Sequence, residues 1–426
     1  MTKKAVYADW IYYDGEIKEN KYLIINGNII EGLADKPEND CEIIRRENSA
    51  IFPGLINTHA HLPMSIFRGL ADDLMLMDWL KNHIWPVESK WLSESFVHDA
   101  TLLAAVEMIR CGTVCANDMY FFSDHVASAL EKCGLRGVVG VGVLDFPTKT
   151  GKGADDYIAK GSVLYQKYKD HELIDISLCP HAPYTVNPDN FRKCVEFCGK
   201  HDILLHTHLL EAPTERDDII ARYGKSPVEL MNEVGAFDIK SIFAHTIHPT
   251  DEEIELMGTK GVCTSHCLES NMKLASGFSP VKRMLDAGMN VTIGTDGQAS
   301  NNDIDMIGEM SSVAKFHKAF SQDATVLDAK TVLDMSTKNA AKALGLDKCG
   351  ELKAGYKADF FVLSFDAVNM TPVYNPVSHL VYSANQRDVT DVYVNGKCLM
   401  DNGVITIVNE NEIKEKARSW AAKIKG

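Results

Sequence analysis

Eight times between residues 54 and 296, a short apolar run closes on a polar or ionisable side chain. The runs are GLINTH (54–59), TVCAND (113–118), GVVGVGVLD (137–145), DISLCPH (175–181), ILLHTH (203–208), SIFAHT (241–246), GVCTSH (261–266) and NVTIGTD (290–296). Helical patterns such as SESFVHDATLLAAVEMIRCG and PVELMNEVGAFD lie between them. Strands covered on both faces read as continuous apolar runs. Eight of them alternating with helices predict an α/β fold, a closed (β/α)8 TIM-type barrel of roughly 300 residues. The barrel is expected over residues 54–350.

The two ends read differently. AVYADWIYY, EIKENKYLIINGNII and CEIIRRENSAIF carry β-branched and apolar clusters, with Asp14-Gly15 and Asn26-Gly27 as turn signals. DFFVLSF and DVTDVYVNGKCLMDNGVIT have the same character near the other end. Residues 1–53 and 351–408 are therefore expected to build one small β-sandwich domain, followed by an amphipathic helix over 409–426.

The chain's 426 residues suit one large domain and one smaller one. A formal net charge of -15 argues against nucleic acid or an anionic membrane as the main partner. MTKKAVYADW has no signal-peptide core, and no apolar run approaches the ~18 residues of a membrane helix, so a cytoplasmic location is expected. The 11 cysteines form no C-x-x-C pair and read as free thiols. Homo-oligomer formation is compatible with the sequence but not specified by it.

Seven strand ends carry His59, Asp118, Asp145, His181, His208, His245 or Asp296. In a barrel such ends surround one mouth, where active sites are built. His59 and His61, spaced i, i+2, place their Cα atoms roughly 6.5–7 Å apart on one face of a strand, a separation at which two imidazoles can share one metal. His208 closes the fifth run, and Glu211 follows three residues later with a carboxylate that can move protons. His206 reads as packing one layer deeper, and His248 as a solvated loop residue. His245 reads as a ligand or as a hydrogen-bonding group beside the metal. Asp296 reads as a ligand or proton acceptor, in competition with a helix N-cap. Imidazoles and carboxylates at a common rim match a catalytic divalent metal with an open position, and neutral imidazoles suit zinc or iron. Such an ion lowers the pKa of bound water to roughly 7, which points to hydrolytic attack on an electrophilic carbon.

PGLINTHAH, the His208…Glu211 pair, strand-end His245, the GTDG turn and GELKAGYKADFFVL resemble the amidohydrolase superfamily over nearly the whole chain. Within it, GLADDLMLMDWLKNHIWPVESKW (69–91), SHCLESNMKLASGFSPV (265–281) and GTDGQASNNDIDMIGEM (294–310) resemble the 5′-methylthioadenosine/S-adenosylhomocysteine deaminases. The resemblance implies deamination of an adenosine-like nucleoside to its inosine analogue and ammonia. It implies His59, His61, His208 and Asp296 as ligands of one metal. Glu211 would protonate the purine ring, Asp296 accept the proton of the attacking water, and His245 orient the attacking oxygen. Trp79 would pack near the 5′ substituent, Glu88 hold the ribose hydroxyls, and His181 contact the nucleoside. The tip of 69–91 would form a wall over the mouth.

Plainer readings compete: Trp79 as helix packing, Glu88 as a helix-end charge, His181 as a hydrogen-bonded strand end, and Asn271 and Lys273 as loop fasteners. LDFPTKTGKGADDYIAKG, after the third strand, contains no arginine to clamp a homocysteine carboxylate; Lys149 and Lys152 are the nearby cations. Methylthioadenosine, adenosine and 5′-deoxyadenosine need no such clamp. The rival functions are a deaminase or chlorohydrolase of the same fold acting on guanine, cytosine or a triazine, and a non-enzymatic scaffold. The cytidine-deaminase zinc site requires H-x-E and P-C-x-x-C, and neither motif occurs.

Overall fold

The computed structural model describes residues 3–39 and 41–426. Its centre is a ring of eight parallel strands in chain order: β1 (Leu55–Ala60), β2 (Thr113–Tyr120), β3 (Arg136–Val143), β4 (Ile174–Pro180), β5 (Leu205–Leu209), β6 (Ser241–His245), β7 (Cys263–His266) and β8 (Asn290–Ile293). All eight apolar runs form strands, with helices between them outside the ring. Local signals set several helix starts. Ser226 and Thr250 each exchange hydrogen bonds with a glutamate three residues on, closing a capping box at Pro227–Glu233 and Asp251–Thr259.

The ring closes where β8 runs out against β1. Ala60 and Asp296 form a parallel bridge, and the Asp296 amide donates to the His59 carbonyl at 3.0 Å. Asn57 reinforces the seam, donating to Thr295 Oγ1 at 2.8 Å and accepting from the Thr295 amide at 3.1 Å. Gly294 makes this approach sterically accessible: a Cβ there would lie 2.7 Å from the His59 nitrogen.

The chain ends build a second sheet of eight strands, ordered 404–405, 397–401, 389–394, 360–364, 42–53, 4–13, 16–26 and 29–34. Hairpins at Asp14-Gly15, Asn395-Gly396 and Asn402-Gly403 place both central residues at positive φ, as type I′ turns require. In a flat sheet, 29–34 and 360–364 would stand about 19 Å apart, four strand spacings. Instead the Ile30 amide donates to the Tyr356 carbonyl, and the Ala358 amide to Asn28, both at 2.9 Å. The sheet therefore rolls over on itself, and Val6, Ile11, Leu23, Ile30, Phe360 and Tyr393 share one enclosed cluster. The sandwich-like interior comes from one continuous, curled sheet.

Strand Glu42–Pro53 runs through Gly54 directly into β1, so the end sheet is covalently joined to the strand that carries His59. A buried ion pair fastens the same junction: Arg136 Nε of β3 donates to Asp359 Oδ2 at 2.6 Å. The final helix, Glu410–Lys425, lies on Glu94–Arg110, with Trp420 edge-on to Phe96 and its Nε1 donating to Asp99 at 3.1 Å. Among the described residues, no helix is long and apolar enough to cross a membrane.

Candidate active site

The β1/β8 seam lies directly beneath the strand-end side chains. His59 points inward from β1, and His61 follows it on the same face. Asp296 Oδ1 lies 3.3 Å from His59 Nε2 and 3.2 Å from His61 Nε2. His208 Nε2, at the end of β5, stands 3.4 Å from His61 Nε2. One nitrogen each of His59, His208 and His245 also falls within a 4.8 Å cluster.

The far edge of each ring is fixed by a partner. His61 Nδ1 meets the Met119 carbonyl at 2.5 Å, and His208 Nδ1 meets the His181 carbonyl at 2.7 Å. A carbonyl only accepts, so these Nδ1 atoms carry protons and the Nε2 atoms face the centre. His245 Nδ1 donates to Asn271 Oδ1 at 2.9 Å, which frees its Nε2 in the same way. His206 supports His59, its Nε2 lying 2.8 Å from His59 Nδ1. Asp296 Oδ2 accepts from Ser270 and Ser300 at 2.6 and 2.8 Å, leaving Oδ1 to the cluster.

Several of these residues sit on strained backbone. Leu210, His245, Thr246 and Asp296 have φ of 55°, 71°, 45° and 65°. Such conformations cost of order 1–3 kcal/mol each in non-glycine residues and persist where surrounding bonds over-determine them. The Asp296 bridge to β1 and the Thr246 amide bond to Leu209 O at 2.9 Å provide that constraint.

The donor set fits one divalent cation. His59 Nε2 and His245 Nε2 are buried and lack a hydrogen-bond partner, and three imidazoles with a carboxylate oxygen match catalytic zinc chemistry. Burial pushes His59 down to about 4 and His208 well below the usual imidazole range, so both are neutral, as ligands must be. Burial also opposes charge on His61, but hydrogen bonding to Asp296 outweighs it and raises that imidazole to about 9, so a bound cation would take the place of a proton shared by His61 and Asp296. The carboxylate thus draws positive charge to the centre.

Above the cluster opens a cavity of about 340 Å³, within the range of small-molecule sites. Its floor includes His61, His181, His208, Glu211, His245 and Asp296, and its walls include Trp79, Glu88 and Tyr120. Glu211 is buried, and burial raises its carboxyl above the usual range. Burial pushes Glu88 up to about 7, against the hydrogen bond from Tyr120. His181 Nδ1 meets Thr185 Oγ1 at 3.0 Å, and burial lowers this imidazole to about 3. Trp79 is buried on the cavity wall with Nε1 unpartnered.

A match to the Amidohydrolase family spans residues 50–399. The chain belongs to this family. A 5-methylthioadenosine/S-adenosylhomocysteine deaminase of Thermodesulfovibrio yellowstonii is 42% identical over 99% of this chain and 98% of its own length. A 5'-deoxyadenosine deaminase of Methanosarcina barkeri is 40% identical over 96% of this chain and 95% of its own. Among solved structures, a zinc-bound adenosine deaminase of Xanthomonas campestris superposes with a TM-score of 0.94 at 36% identity, covering 99% of this chain and 98% of that one.

Within this amidohydrolase, one reading of the strand ends changes. Asp145 is not part of the cavity. It lies two residues beyond β3, where its carboxylate accepts from the Asn187 amide and from both Asn187 and Asn190 side chains, tying down the start of helix Pro188–His201. His248 lies in the loop after β6, as read, and is half-buried there with Nε2 on the Ser276 carbonyl at 2.7 Å. Asp118 sits one step outside the cluster, accepting from the Leu62 amide at 2.7 Å and so setting the turn after His61. Lys273 fastens loops through Asp72 and Asn302 at 2.7 and 2.8 Å.

Sequence reasoning missed three supporting side chains. Glu215 accepts the Leu210 and Glu211 amides at 2.9 and 3.0 Å, holding the turn that aims Glu211. Asn271 sets His245, a role beyond fastening its loop. Tyr120 donates to Glu88 from the end of β2; its i, i+2 spacing from inward-facing Asp118 was the available signal.

Proposed function

We propose that this amidohydrolase hydrolytically removes the exocyclic amino group of an adenosine-type nucleoside, using one divalent ion, zinc in the first place, held by His59, His61, His208 and Asp296. The observation that carries the reading is the convergence of these four donors beneath a cavity that presents two buried carboxyls, Glu211 on its floor and Glu88 on its wall. When bound, the ion supplies Lewis acidity that makes hydroxide available near neutral pH.

The chain's own groups account for the proton movements. Asp296, steadied by Ser270 and Ser300, accepts the proton of the attacking water. His245, its tautomer set by Asn271, turns Nε2 toward the attacking oxygen and orients it. Glu211, whose carboxyl burial raises above the usual range, donates to the ring nitrogen beside the amino-bearing carbon, which makes that carbon electrophilic. The added oxygen replaces nitrogen, and ammonia leaves with the transferred protons. His181 contacts the nucleoside, Glu88 accepts the ribose hydroxyls, and Trp79 walls the 5′ substituent.

An uncharged 5′ substituent fits this cavity better than a homocysteine chain. The wall carries Leu76, Leu80, Trp85 and Leu144, and no arginine lines it among the described residues. The ammonium of Lys149 is engaged by the carbonyls of Lys90 and Leu92 at 3.1 and 2.9 Å.

The test is ammonia release by purified protein of measured metal content, offered methylthioadenosine, S-adenosylhomocysteine, adenosine, 5′-deoxyadenosine and guanine. The expected result is turnover of the adenosine compounds, with methylthioadenosine or 5′-deoxyadenosine ahead of S-adenosylhomocysteine. Rapid turnover of guanine with none of adenosine overturns the reading. Less than a tenth of an equivalent of transition metal, with no gain on reconstitution, overturns its metal-dependent part.

A further inference from the structure

The Glu88 carboxylate is an unusual ligand-binding group because the protein gives it so little help. It is buried on helix Trp85–Trp91 and faces the cavity. Among the described residues, its side chain has one polar partner, the Tyr120 hydroxyl, which donates to Oε1. Among the same residues Oε2 has no partner. The terminal torsion of a glutamate is broad and roughly two-fold, so an unanchored carboxylate would turn freely in this space. Tyr120 does not turn freely. It is the last residue of β2, buried, with its ring packed 5.4 Å from Phe121 and 6.3 Å from His61. The phenol is thus fixed to the barrel that carries the cluster, whereas Glu88 rides on a separate wall segment.

We propose that Tyr120 is a positioning residue that holds Glu88 turned toward the vicinal hydroxyls of the substrate's sugar. The proposal rests on the reading of Glu88 as the acceptor of those hydroxyls. Each carboxylate oxygen accepts two hydrogen bonds, so Oε1 can take both Tyr120 and one sugar hydroxyl while Oε2 takes the other. A rigid donor on one side fixes the plane of the carboxylate for a diol on the other. The Tyr120–Glu88 pair then distinguishes a ribonucleoside from a free base or a deoxygenated sugar, and it links the sugar's position to the strand that leads to the cluster.

The test compares Tyr120→Phe with the parent protein on adenosine and 2′,3′-dideoxyadenosine, as substrates or, where turnover fails, as competitive inhibitors. A hydrogen bond to a charged group is worth enough to change affinity about 10-fold or more. The expected result is a rise of about 10-fold in KM for adenosine, kcat within about 3-fold, unchanged metal content, and no change for the dideoxy compound. Equal changes for both compounds, or no change for adenosine, overturn the proposal. Glu88→Gln and the double variant separate its two layers. If Glu88→Gln abolishes the preference for adenosine over the dideoxy compound and Tyr120→Phe then adds nothing, the coupling is established. If Glu88→Gln leaves that preference intact, the assignment of Glu88 to the sugar fails and the Tyr120 proposal fails with it. Additive losses in the double variant overturn the Tyr120 proposal alone.

Discussion

The floor and the wall of the cavity are built on opposite principles. On the floor, nearly every functional side chain is held twice, once by its strand and once by a partner behind it: His61 by Met119, His208 by His181, His245 by Asn271, Asp296 by Ser270 and Ser300. The wall is held loosely. Trp79 Nε1 has no partner, Glu88 has one, and Lys149 reaches its carbonyls from an exposed loop. The floor must present a few atoms to a reacting centre within fractions of an ångström, and a redundant bond network on strand ends does that. On the proposed reading the wall sorts substrates, and apolar contacts with few fixed polar groups suffice.

The largest effect should follow from emptying the floor. His208→Ala or Asp296→Ala removes a donor from the cluster, and turnover is expected to fall by about 10³-fold or more, with bound metal dropping in parallel on elemental analysis. Near-normal rates in either variant would mean that the convergence of these side chains is not the catalytic centre. Glu211→Gln probes the floor without dismantling it. It should retain the metal and lose about 10²-fold or more in kcat, the scale of general acid–base catalysis. Normal turnover would remove Glu211 from proton transfer.

The same contrast explains what was legible in the sequence. The eight apolar runs, the His59/His61 spacing and the position of His208 and His245 depend on strand periodicity and burial, which local sequence records directly. Asp145 shows where that signal stops. An apolar run ending in aspartate reads alike whether the next residues turn into the mouth or away from it, and here the carboxylate is claimed by the start of helix Pro188–His201. Tyr120, Glu215 and Asn271 were harder for another reason: each acts through a partner on a different loop or element, and nothing local to them names that partner. The curled end sheet was legible as strands but not as a topology, because it includes a parallel pairing between 4–13 and 42–53 that no hairpin signal marks.

A titration distinguishes wall from floor at smaller amplitude. Glu88 is pushed up to about 7 by burial, so its carboxylate is fully formed only above that pH. The anion is the better acceptor for two hydroxyls, so lowering the pH should weaken sugar binding. KM for adenosine is expected to rise about 10-fold between pH 8 and pH 6, while the dideoxy compound shows a much flatter profile. Parallel profiles for both compounds would place the titration on the floor instead.

The smallest expected effect belongs to Lys149, and it discriminates between two uses of the same cation. As an anchor for a substrate carboxylate, Lys149 would matter to S-adenosylhomocysteine and not to methylthioadenosine. As a strap, it holds the loop after β3 against the end of helix Trp85–Trp91, and its loss would loosen the wall for every nucleoside alike. The structure favours the strap, because the ammonium already donates to the Lys90 and Leu92 carbonyls. One of these bonds is exposed and the other part-buried, so solvent screening leaves the strap worth on the order of 1 kcal/mol. Lys149→Met should therefore raise KM by about 2- to 5-fold for both nucleosides, leaving the ratio of their kcat/KM values within about 2-fold of the parent. A loss of about 10-fold confined to S-adenosylhomocysteine would show that the cation leaves its carbonyls to meet the substrate, and that the wall is less apolar in use than it is at rest.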